Sequence, residues 1–90
     1  MSANYAGIQE YEAMIAALSK FQREVIEACD ELSSAGNECV TNMDEDVNAP
    51  KQNAKVQKSV ANIRASLETV PPVIQGLQEQ IEELRRTEID

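Results

Sequence analysis

From Val56 to Leu84, apolar residues recur at Val56, Val60, Ile63, Leu67, Val70, Ile74, Leu77, Ile81 and Leu84, with gaps alternating strictly between 4 and 3. A mean period of 3.5 residues marks a helix that lays one narrow seam against another helix. The positions between are mostly Gln, Glu, Ser, Lys and Arg, so the seam is all that this helix offers to a core. The chain must therefore supply a matching helix or find one.

The first half supplies one. Ile8, Tyr11, Ile15, Leu18, Gln22, Val25, Cys29, Leu32, Gly36, Cys39 and Met43 follow the same alternation. The spacing predicts helix 1 over about 4–46, a turn at about 47–50 and helix 2 over about 50–88, each helix roughly 60 Å long at 1.5 Å per residue. A short connection between helices of equal length folds them antiparallel. The expected fold class is all-α: one hairpin domain over 1–90. Its intramolecular seam is Ile15, Leu18, Val25, Leu32, Val60, Ile63, Leu67, Ile74, Leu77 and Ile81. Pro50 suits the first turn of helix 2, with Asn48 or Ala49 as the cap.

Two places strain the pattern. Gly36 lies in the polar run Ser33-Ser34-Ala35-Gly36-Asn37, and Gly costs a helix interior about 1 kcal/mol relative to Ala. The heptad phase survives across it, so a continuous helix with a local weakness is expected. Pro71 and Pro72 each lack a backbone donor and crowd the preceding turn. The phase passes through them too, which predicts a kink or a coaxial restart. Surface pairs such as Lys20–Glu24, Arg23–Glu27, Glu82–Arg86 and Glu82–Arg85 have helical spacing and contribute a few tenths of a kcal/mol each.

The halves are unequally apolar. Helix 1 adds Met14, Phe21, Ala28 and Ala35 at seven-residue spacing on one flank, and Ile26, Val40 and Val47 on the other. Beside its seam, helix 2 adds little except Val73. Two helices alone also keep most of their circumference in water. A face wider than one neighbour can cover predicts an interface through Met14, Phe21, Ala28, Ala35, Ile26 and Val40. Hairpins are expected to pair, helix 1 against helix 1, into a four-helix bundle, as a homodimer or as a heterodimer with another helical protein.

Composition excludes much else. There is no His, so a Ser–His or Cys–His relay is absent. Gly7, Gly36 and Gly76 are isolated and build no phosphate loop. Asn42, Asp44, Asp46 and Asn48 alternate like calcium-loop ligands, but the required Gly and closing Glu fall on Val47 and Asn53, or on Ala49 and Lys55. Cys29 and Cys39 lie about 15 Å apart along a helix, too far for a bridge. Both are expected as small buried apolar residues in a reducing compartment, the alternative being a bridge between two copies. The expectations are no enzyme, no catalytic residue, no cofactor, no metal and no small-molecule substrate. A net charge of −8 argues against nucleic-acid binding. The absence of an 18-residue apolar run argues against membrane insertion. A cytoplasmic protein is expected, with export that needs no signal peptide left open.

A roughly hundred-residue acidic helical hairpin of this layout resembles the small Trp-x-Gly family of type VII secretion substrates and their partners. The resemblance covers the whole chain in length and layout. It departs in motif: there is no Trp, Gly36 follows Ser34-Ala35 ahead of the turn, and Tyr5 and Tyr11 are followed four residues on by Gln9 and Ile15, not by an acid. The resemblance implies a folded hairpin that pairs into a four-helix assembly, as a substrate or as a chaperone-like partner for the helical region of a larger secreted protein. The alternatives are an acidic phage-type inhibitor or nucleic-acid mimic, a needle-type polymerising hairpin, and a structural or adaptor bundle.

Overall fold

The computed structural model describes residues 3–89, with side chains from Tyr5 to Thr87. It is 94% helical, with no strand among the described residues. Helix α1 spans Ala3–Asn42, α2 spans Asn48–Ser66, a 3-10 turn spans Leu67–Thr69 and α3 spans Val70–Ile89. Contacts group the chain into two compact units. The first joins α1 up to Gln22 with the chain from Glu68 onward, and the second is Arg23–Leu67.

Helix α1 passes through Gly36 without a break and ends at Asn42, ahead of the expected Asp46. Asp46 serves the next helix instead. The Asn48 N–H donates to Asp46 Oδ1 at 2.8 Å, satisfying one of the open donors of the α2 N-terminus. The expected caps, Asn48 and Ala49, lie inside α2, and Ala49 is buried. Between the helices the Met43 N–H donates to the Cys39 carbonyl and the Asp46 N–H to the Met43 carbonyl, both at 2.9 Å.

The interruption in the second half falls one turn before the prolines. Pro71 and Pro72 are the second and third residues of α3, positions at which a helix has no use for the missing N–H. In an unbroken α-helix their nitrogens would have served the carbonyls of Leu67 and Glu68. The backbone tightens there into the 3-10 turn, and Ser66 Oγ donates to the Ile63 carbonyl at 2.6 Å.

In the first unit Ile8, Val70 and Ile81 are buried, with Tyr11, Ile15, Leu18, Ile74, Leu77 and Leu84 half-buried around them. Gly7 lies under Leu84: a Cβ there would sit 3.3 Å from Leu84 Cδ1. In the second unit Cys29, Ala49, Val60 and Leu67 are buried, Val60 most completely at 2% exposure. Here α1 and α2 run antiparallel, because Asp30, Ser33 and Asn37 contact Arg64, Gln57 and Asn53 in falling order.

The seam of the second unit departs from the expected line. Past Cys29 the inward residues are Ser33, Gly36 and Val40, so Leu32 (44% exposed), Cys39 and Met43 lie outside it. A straight helix has 3.6 residues per turn and drifts about 20° per heptad from a strict 3.5 repeat. After three heptads the inward position has moved to the next residue. Val40, expected on an outer flank, is consequently half-buried, and Cys39, expected in the core, is exposed. On α2, Ile63 is likewise 41% exposed, one flank away from Val60.

Candidate interaction surfaces

The polar residues that replace Leu32 on the inward line form one connected cluster. Ser33 Oγ donates to Gln57 Oε1 at 2.8 Å, and Gln57 Nε2 donates back to the Ser33 carbonyl at 3.0 Å. Gln57 Nε2 also donates to Asn53 Oδ1 at 2.9 Å, and Asn53 Nδ2 donates to Asn37 Oδ1 at 3.1 Å. A Cβ built on Gly36 would overlap Asn53 Oδ1. The glycine at this site therefore makes room for the Asn53 side-chain amide. Among the described residues no buried side-chain polar atom lacks a partner, as buried polar groups require.

Charge pairs tie each unit together. Arg64 meets Asp30 at 2.6 Å in the second unit, and Arg85 meets Glu12 at 3.3 Å in the first. Arg86 turns to Glu83 at 2.8 Å. No ion pair joins Arg23 to Glu27 or Glu82 to Arg86 among the described residues. All these charges are well exposed and contribute little to stability.

Apolar side chains stay uncovered in both units. The first exposes Met14 (49%), Phe21 (54%) and Val73 (49%), and the second exposes Leu32, Ile63 and Ile26. Ala28 and Ala35 are exposed as well. At 100° per residue, Ala28, Leu32, Ala35 and Cys39 share one flank of α1. They border a groove of about 210 Å³ lined by Leu32, Ala35 and Cys39 of α1 and by Ala49, Gln52 and Val56 of α2. Ile26 lies on the other flank, with Asp30.

The charge on α2 escaped the sequence reading. It carries Lys51, Lys55, Lys58 and Arg64 and no acid, in a chain of net charge −8. Lys51, Lys55 and Lys58 are exposed and fall on the side of α2 opposite buried Val60. On α1, Glu27, Glu31 and Glu38 are exposed opposite the inward line. The signal was present as the absence of any acid between Asn48 and Ser66.

Among the described residues no group of three or more His, Cys, Asp or Glu is placed to hold a metal ion, and no helix is long and apolar enough to cross a membrane. The open groove beside Glu12 and Arg85, with Gln78 and Glu82 at its rim, holds its carboxylates in solvent. Compared with known proteins, no family model matches the chain, and neither a curated protein nor a solved structure matches it significantly.

Proposed function

We propose that this chain is a non-enzymatic helical interaction protein that pairs with another helical chain. The way of acting is that of the small type VII secretion substrates and partner chaperones it resembles in length and layout. The observation that carries the reading is the bare apolar flank of the first unit, where Phe21, Met14 and Val73 are about half exposed. Scattered single apolar residues are ordinary on a surface, whereas large ones aligned on one helix flank mark a docking face. Under this reading the protein sits in the cytoplasm until its complex is exported by a route that needs no signal peptide.

Light scattering on a sizing column tests the reading, with the chain alone and co-expressed with a helical chain encoded beside it. A complex larger than the monomer in either preparation is expected. Phe21→Asp should dissolve that complex while leaving most of the helicity, because Phe21 already faces solvent within the single chain and a buried charge is costly only at an interface. Monomers in both preparations, or a Phe21→Asp complex of unchanged mass, would refute it.

A further inference from the structure

From the second unit we infer that the partner is another copy of this chain, docked so that α1 lies over α2 of the other copy. This rests on the pairing just proposed and names its occupant and arrangement. The second unit has one apolar flank, with the groove between Ala35, Cys39 and Val56. One edge of that flank is acidic and the other basic. Glu31 and Glu38 stand on the α1 edge, Lys51 and Lys55 on the α2 edge, and among the described residues none of the four is held in an ion pair.

A partner that fits both edges must carry the same two signs in reverse order. A second copy does so when it is turned about a two-fold axis running along the helices. That operation brings flank to flank and sets each acidic edge beside a basic one, an isologous contact in which both copies use the same surface. It also preserves level along the axis. The contacts Ser33–Gln57 and Asn37–Asn53 set the level of α1 against α2. Carried along the helices, that register places Glu38 of one copy level with Gln52, next to Lys51, of the other. Glu31 comes level with Ser59, and Lys55 falls between the two acids. The alternative two-fold, with α1 over α1, would set Glu31 and Glu38 against acids and Lys51 and Lys55 against lysines.

Two charge-swapped variants test the arrangement by sedimentation at matched ionic strength, with circular dichroism to confirm that both stay helical. Lys51→Glu/Lys55→Glu makes both edges acidic, and Glu31→Lys/Glu38→Lys makes both basic. Each variant alone should dissociate about tenfold or more readily than the parent, and mixing the two should restore a dimer. The second variant is diagnostic. Each Glu→Lys change adds two charges, so its net charge falls from −8 to −4 and long-range repulsion between copies weakens, yet its pairing should weaken too. Variants that self-associate as the parent does would place α1 over α1 and overturn the inference. So would a mixture that stays monomeric. A parent that is monomeric alone but complexed with a different helical chain would also overturn it, while leaving the broader pairing function intact.

Discussion

At the scale of single residues, Gly36 carries the most information. Read from sequence it is a defect in a helix, a site of about 1 kcal/mol lost to backbone entropy. In the fold it is the opening into which Asn53 fits, and Asn53 in turn joins Gln57 to Asn37. Gly36→Ala therefore sets two terms of similar size against each other. The helix gains about 1 kcal/mol of propensity, while displacing Asn53 removes exposed amide contacts worth about 0.5–1.5 kcal/mol each. In the parent chain the substitution should be close to neutral. In an Asn53→Ala background the only close neighbour left is Gln57 Nε2, the far end of a flexible side chain 3.3 Å from the Cβ, and most of the gain of about 1 kcal/mol should appear. Urea unfolding of the four chains measures the difference, and equal effects in both backgrounds would show that Asn53 does not hold the site.

At the scale of elements, the legible part was the periodicity and the illegible part was its phase. Nine positions at alternating gaps announced the second half as helical, and α2, the 3-10 turn and α3 occupy that stretch. Val60, Leu67, Val70 and Ile81 on that line are buried. The first half kept the same repeat on paper, but a helix of 3.6 residues per turn does not keep it in space. Ser33 and Val40 face inward where Leu32 and Cys39 were expected. No single residue betrays such a drift, since it accumulates at about 20° per heptad. The α2 start was misread for a different reason. The sequence offered Asn48 or Ala49 as the cap, whereas it is the Asp46 carboxylate that takes the Asn48 N–H. Asp46→Ala should cost about 1 kcal/mol, and Asp46→Asn, which retains the acceptor, should recover most of it. Thermal melts of the two variants check this, and equal losses would remove the cap from the account.

At the scale of the whole molecule, the core decides how far the chain can stand by itself. Buried apolar residues among those described are Ile8, Cys29, Ala49, Val60, Leu67, Val70 and Ile81, two of them as small as Ala and Cys. Fully burying a Val, Leu or Ile stabilises by about 1.5–3 kcal/mol, a modest return against the conformational entropy of ordering a chain of this length. Pairing through the bare flanks adds burial that the single chain lacks, so stability is coupled to association and depends on concentration. For a dimer that unfolds to separate chains, a 100-fold rise in protein concentration adds about 1.4 kcal/mol per chain. In a domain of this size that shifts the midpoint by about 5–10 °C. Calorimetry at two such concentrations reads the shift directly. Phe21→Asp, which removes the partner but not the fold, should lower the midpoint at both concentrations and abolish its dependence on concentration. A midpoint that stays put in the parent would mean that the thin core suffices unaided.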